Sequence, residues 1–329
     1  MQRVVVIGAG WWGKELAQAA QQLPDKIEIR GCFTPNRDEA AQFAATFGGQ
    51  AYVSYEAVLA DSAVDGIVLA TPHSTHAQLI VQAARARKHV FCEKPFTLTV
   101  ASGREAIAEC AAARVVLAVG HNRRFMAGAR RIKSMVDAGE LGRVIHVEAN
   151  YSGSVEGRYP PGHWRVTQSE LPAAGMTPMG LHMIDTLTWI LGPIRRVVSI
   201  TKHQVSSYPL DDTCAVLFEL GSGATGLFAS NISTTMTASL RLFGDKKSVD
   251  ARDNFAELVT SPIGMQVKRT TDRFERDDSL ALELAAFAAA CEGGTPYLIK
   301  PAEALRNIAV LEAVVRSAQT NSWVEVSHE

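Results

Sequence analysis

No apolar run in this 329-residue chain reaches the roughly 18 residues that a membrane-spanning helix needs, so no membrane partner is expected. The five cysteines, Cys32, Cys92, Cys110, Cys214 and Cys291, are odd in number and include no C-x-x-C pair. That argues against a disulfide framework and against a zinc knuckle. Charge of one sign is also missing. The formal net charge is -1, so the basic excess of a nucleic-acid binder is absent and no such partner is expected. The amino terminus, "MQRVVVIGAG", enters a strand pattern without the basic and long apolar regions of a signal peptide, which points to the cytoplasm. No internal repeat or low-complexity segment interrupts the chain.

What remains is ordinary globular usage, 47% hydrophobic and 20% charged, in a chain long enough for two domains. The first half alternates strand and helix. "RVVVI" (3–7) is the continuous apolar run of a strand buried on both faces of a parallel sheet. It leads into "GAGWWG", whose Gly8, Gly10 and Gly13 open the helix "KELAQAAQQL", with a second strand, "KIEIRGCF", to follow. This is the context a G-x-G-x-x-G needs for dinucleotide binding: a tight turn, close approach of a pyrophosphate, and a positive helix end. Trp11 and Trp12 stand inside the turn and are candidate cofactor contacts, one packing beneath the cofactor or into the domain interface and at least one with a structural role. At the end of the second strand, where an acid would hold a ribose 2'-hydroxyl, the chain has Thr34, with Arg37 nearby. A hydroxyl and a guanidinium suit a 2'-phosphate, so NADP is preferred and NAD stays open.

Strands predicted at 66–70, 90–92 and 115–119 continue the doubly wound pattern. Thr71, Pro72, His73 and His76 follow the first of them, at the strand end where such sheets bind ligands, and are read as cofactor contacts. The H-x-x-H spacing has no third ligand, so no metal is expected. After Leu141-Gly142 the pattern turns to in-out alternation in eight short runs, "RVIHVEANYSG" through "MQVKRT", without intervening helices. They predict a large, mostly antiparallel sheet with one face open to solvent or to another copy, hence a homodimer or homotetramer. Two closing helices are predicted, capped at Ser279 and started by Pro301.

Two segments of this second half carry site chemistry. In the Pro/Gly-rich "GRYPPGHWRVTQSELPAAG", Trp164 offers a ring to stack on and Arg165 a cation, as a substrate wall would. In "AGMTPMGLHMID", Thr177 and Pro178 read as N-cap and first helical residue, and Gly192-Pro193 as the stop. His182, Asp185 and Trp189 then share a face, a histidine with a carboxylate one turn away.

The strand ending in "CEKPF", preceded by "ATPHSTH" and the glycine motif, resembles the glucose-fructose oxidoreductase / inositol dehydrogenase / MocA family of nicotinamide-dependent enzymes. The resemblance covers nearly the whole chain, including "GHNRRF" with Asn122 and Arg123, the "GELGRV" link and the His182 helix. It implies an α/β fold: a Rossmann domain over 1–122 and a substrate-binding and oligomerisation domain over 123–329. It implies that Glu93 and Lys94 lie at the nicotinamide, that Lys94 faces the substrate, that His182 shares proton handling, and that the bond to Pro95 is cis. Many such relatives carry an aspartate four residues before the histidine; here that position is Pro178. The expected activity is hydride transfer at a secondary alcohol or ketone of a sugar, cyclitol or related cyclic substrate, with Lys94 and His182 catalytic and Asn122, Arg123, Trp164, Arg165 and Asp185 binding substrate. A dihydrodiol-type dehydrogenase, a non-catalytic nucleotide sensor and redox-assisted glycoside cleavage stand as alternatives. A lysine at a strand end beside a cationic nicotinamide would have its pKa pushed down, suiting it to pass a proton.

Overall fold

The computed structural model describes residues 1–264 and 268–327. They form two compact units, Met1–Asn122 with Asp278–Leu305, and Arg123–Asp277 with Arg306–Glu329.

The first unit runs β1 (Gln2–Ile7), α1 (Trp11–Gln21), β2 (Ile27–Phe33), α2 (Arg37–Phe47), β3 (Gln50–Ala51), α3 (Tyr55–Ala60), β4 (Gly66–Leu69), α4 (His73–Arg85), β5 (His89–Cys92), α5 (Val100–Ala113) and β6 (Leu117–Val119). Its strands pair in parallel in the order β3-β2-β1-β4-β5-β6. Val5, Ile67, Leu69, Val90 and Phe91 are buried from both sides, which is why these strands read as unbroken apolar runs. The winding reverses between β1 and β4, the position at which such sheets hold a ligand beyond their carboxyl ends.

The second unit contains α6 (Ala127–Asp137), β7 (Val144–Ser154), α7 (Gly180–Leu191), β8 (Ile194–Lys202), β9 (Thr213–Leu220), β10 (Thr225–Asn231), β11 (Ser233–Gly244), β12 (Lys247–Arg252), β13 (Glu257–Pro262), β14 (Thr270–Arg273) and β15 (Val324–Glu325). Helix α8 (Ser279–Cys291) belongs to the first unit, and α9 (Pro301–Thr320) runs from the first into the second. The nine strands form one sheet, β14-β13-β12-β11-β7-β10-β9-β8-β15, antiparallel except where β10 lies parallel to β7. Period-two alternation sets the faces. Val147 pairs with Leu242 and Ala149 with Leu240 on the buried face. On the opposite face Leu217 pairs with Leu227 and both are exposed, as is Ile200. Of the predicted run "MQVKRT", Met265, Gln266 and Val267 lie outside the described residues, and Thr270 pairs with Thr260.

Two helix starts differ from expectation. Helix α7 begins at Gly180, because Ala174–Met176 form a 3-10 turn and Thr177 itself is helical (φ -69, ψ -54). A capping threonine needs extended backbone to reach forward; this one's hydroxyl turns back and accepts from the Ala173 N–H at 3.4 Å. Pro178 therefore lies in the turn before α7 and not in its first position. Helix α8 is capped by Asp278, which accepts from the Ala281 N–H at 2.9 Å, leaving Ser279 inside the helix.

Candidate active site

The first unit supplies a phosphate cradle. Gly8 has φ +102, and a side chain there would meet the Ala70 carbonyl oxygen at 2.6 Å; one on Gly13 would meet the Gly8 oxygen at 2.0 Å. These contacts hold β1, α1 and the end of β4 at a spacing only glycine permits. Beside Gly10 there is open space, and Gly10 caps α1 with no side chain over the helix end. Trp11 is 62% exposed and makes an edge contact with Trp12, whose centroid is 5.1 Å away. Beyond β2, Thr34 is half-buried and Arg37 is exposed. The acids nearby sit in the first turn of α2, where the N-cap Asn36 accepts from the N–H groups of Asp38 and Glu39 and donates to the Glu39 carboxylate. No carboxylate thus occupies the end of β2. These residues fit a dinucleotide, and a 2'-phosphate better than a bare hydroxyl.

The strand-end loops are tied together by His76. It is fully buried, with Nδ1 2.8 Å from the Pro95 carbonyl oxygen and Nε2 3.1 Å from that of Thr71. Both ring nitrogens face backbone, so His76 serves the site by fixing the Thr71–Pro72 loop to the Lys94–Pro95 turn. His73 is buried at the start of α4, with its ring 6.0 Å from that of His76. The Lys94–Pro95 bond is cis, as the resemblance implies. Lys94 is half-buried, and its N–H donates to the Glu93 carboxylate at 3.2 Å. Asn122 donates to the Ser279 hydroxyl at 3.0 Å.

Behind Glu93 lies Glu283 of α8, fully buried, with neither oxygen hydrogen-bonded among the described residues. Burial, reinforced by Glu93 and Asp278, holds its carboxyl well above the usual range. The folded protein therefore carries a proton here that the unfolded chain releases above about pH 4.3, and stability falls as pH rises through that window. Glu283→Gln lacks this titration. Its melting temperature relative to wild type is expected to rise between pH 5 and pH 8, and a difference that stays flat would show an ionised Glu283.

The second unit places His182 on α7, 8% exposed, with its ring 6.0 Å from that of Tyr151 on β7. The Arg123 guanidinium lies 4.3 Å over the Tyr151 ring and donates to its hydroxyl. Asp185 is fully buried. Its carboxylate accepts two bonds from Arg124, at 2.8 and 2.7 Å, and a third from Asn307 at 2.8 Å. The expected substrate contact is instead an anchor that binds α7 to the Asn122–Phe125 turn and to α9. Trp164 and Arg165 also turn inward on their own loop, the guanidinium 4.3 Å over the indole and His163 stacked between Trp164 and Tyr159. Tyr159, at the end of this stack, packs against the cluster of Val166, Leu171, Tyr208, Leu210 and Ile232.

Tyr151, Arg124, Asn307 and Glu283 were not singled out from the sequence. Tyr151 was within reach, since the alternation of β7 puts it on the face of Val147 and Ala149. The other three act through pairings 61 to 190 residues apart, Arg124–Asp185, Asn307–Asp185 and Glu283–Glu93, which spacing does not show. Among the described residues no group of His, Cys, Asp or Glu could hold a metal, and no helix is long and apolar enough to cross a membrane.

A Rossmann sheet with an open glycine turn and a lysine at the end of β5 defines a dinucleotide-binding oxidoreductase. Residues 2–121 match the GFO/IDH/MocA oxidoreductase family model with its NAD-binding Rossmann fold, and residues 129–250 match the GFO/IDH/MocA C-terminal domain. The chain belongs to this family. It is 29% identical over 284 residues to a D-xylose 1-dehydrogenase (NADP(+)) of Haloferax volcanii, covering 84% of this chain and 85% of that one. It is 29% identical over 308 residues to an inositol 2-dehydrogenase of Acidiphilium cryptum, covering 89% and 87%. Levoglucosan dehydrogenase, in complex with NADH and levoglucosan, shares the fold with a TM-score of 0.89 at 20% identity over 99% of both chains.

Proposed function

We propose that this oxidoreductase transfers hydride between NADP(H), or less favourably NAD(H), and a secondary alcohol or ketone of a cyclic polyol. The observation that carries this reading is Lys94. It stands at the carboxyl end of β5, held through its backbone by Glu93 and through Pro95 by His76, next to a cradle that fits a dinucleotide. The bound nicotinamide supplies the hydride acceptor or donor. Lys94 hydrogen-bonds the reacting oxygen and passes its proton, and His182 is the second proton-handling group. With Asp185 paired to Arg124, the Tyr151–Arg123 pair beside the imidazole is a candidate orienting group in the second unit.

Relatives named for xylose and inositol oxidation support a sugar or cyclitol as substrate. Thr34 and Arg37, with the Glu39 carboxylate engaged by Asn36, support NADP over NAD, and Asp38 in the first turn of α2 keeps NAD open. The exposed apolar stripe of Ile200, Leu217 and Leu227 supports a homodimer or homotetramer, which the molar mass in solution reads directly. The activity is tested by following nicotinamide absorbance across a panel of sugars and cyclitols with each nucleotide.

A further inference from the structure

The second unit contains a cavity of about 370 Å³ that the proton-handling account leaves unused. Its floor follows from strand register. Tyr151 pairs with Ala238 on the face that, further along the same strands, is the buried core of Ala149, Leu240, Val147 and Leu242. Core packing stops at this pair and the space beyond is unfilled, with Met236 left 65% exposed at its edge.

The opposite wall is a loop in an uncommon conformation. Asp253, Asn254 and Phe255 all have left-handed backbones, φ 44, 53 and 70, and none is glycine. Such runs persist only when the surroundings enforce them, and they cluster at ligand sites. Here the Phe255 carbonyl presses on α6 where only Gly128 fits, since a side chain there would meet its oxygen at 1.9 Å.

The charged groups around the rim are mostly engaged with one another or with solvent. Arg276 donates to both Asp253 oxygens at 3.0 and 3.2 Å, Asp277 accepts from the Ala127 N–H at 2.6 Å, and Glu275 is exposed. Most of the lining surface is apolar, from methionine, alanine and aromatic side chains among others, and Asn254 adds a buried amide oxygen with no hydrogen-bond partner among the described residues. An enclosed cavity of roughly 150 Å³ lined by leucine, isoleucine and phenylalanine takes up benzene; this one is more open and partly polar, and has more than twice that volume.

The cavity also adjoins the imidazole. Tyr151 lines it and stands 6.0 Å, ring to ring, from His182. Met236 and Met179 meet over Gly153, where an added Cβ would lie 3.1 Å from one and 3.3 Å from the other, and Met179 directly follows Pro178. Between His182 and the cavity lie the Tyr151 ring, with the Arg123 guanidinium over it, and the Met179 and Met236 thioethers.

We propose that this cavity, beside His182, receives an apolar substituent carried by the substrate, so that the preferred substrates are aryl- or alkyl-substituted cyclic polyols and not bare ones. This rests on the enzyme reading above. The test uses the full-length protein saturated with reduced nucleotide, and calorimetry with phenyl and methyl β-D-glucopyranoside as probes. Burying a phenyl ring is expected to make the phenyl probe bind at least about tenfold tighter. Ala238→Leu, which fills the floor, and Met236→Glu, which charges the edge, are each expected to bring the ratio close to one while nucleotide binding persists. Equal or undetectable binding of the two probes by wild type, or a ratio unchanged in both variants, overturns the proposal. Failure of the enzyme reading shows separately, as absence of nicotinamide turnover with any polyol while the phenyl preference is kept.

Discussion

Lys94→Ala is expected to lower kcat/KM by about 10³-fold, within the range of roughly 10²–10⁴ that a positioned proton donor contributes, while leaving nucleotide affinity nearly intact. The two halves of this expectation have different origins. Nucleotide affinity comes from the glycine turn, the end of α1 and the Thr34–Arg37 segment, none of which depends on the lysine side chain. The backbone at Lys94 is fixed by the Glu93 carboxylate and by His76 against Pro95, so truncating the side chain removes the ammonium and leaves the loop in place. Nearly all the loss should fall on kcat, because the interaction is strongest as charge develops on the reacting oxygen. His182→Ala is expected to cost less, about 10²-fold, since Lys94 still supplies a proton. Full activity in Lys94→Ala would remove the lysine from the mechanism.

Asp185→Ala should act on folding and not on chemistry. The carboxylate and the Arg124 guanidinium are 0% and 1% exposed, so removing the acid strands a cation in the core. Breaking such a pair costs about 3–5 kcal/mol, which for a unit of this size corresponds to a fall in Tm of roughly 6–20 °C. The double variant Arg124→Met with Asp185→Leu should recover much of that loss, because apolar groups of similar volume replace a buried ion pair at little cost. Thermal unfolding of the single and double variants checks this. A single variant with unchanged Tm would show that the pair contributes little, and would return Asp185 to the candidates for substrate contact.

The same pair shows what the sequence disclosed and what it left hidden. The Rossmann half was legible because its signals are local: an unbroken apolar strand, glycines at fixed spacing, and a helix, all within about 30 residues. The E-K-P strand end and its cis bond were legible through family likeness. The second sheet was legible from its alternation, although the parallel pairing of β7 with β10 depends on a crossover that no local pattern encodes. At the site, His182 and Asp185 were rightly placed on one helix, but their environments diverge. Asp185 finds Arg124 61 residues earlier and Asn307 122 residues later, and three charge-assisted bonds draw it into the core. Thr177 and Pro178 have the residue types of a helix start, yet the preceding 3-10 turn already sets the backbone helical and delays α7 to Gly180. Trp164 and Arg165 have the chemistry of a substrate wall and use it on each other.

Hydride transfer at a cyclic secondary alcohol, with Lys94 handling the proton, can be read directly. Its most direct measurement is nicotinamide absorbance when the purified protein is mixed with NADP⁺ and each member of a cyclitol and sugar panel, bare and aryl-substituted, alongside the Lys94→Ala variant. Reduced nicotinamide is expected to accumulate in step with ketone or lactone for at least one polyol, and the variant to bind the nucleotide but form almost none. Tight nucleotide binding with no change in redox state, in either direction and with every panel member, would overturn this assignment and leave a nucleotide sensor or redox-neutral glycoside cleavage on the same fold.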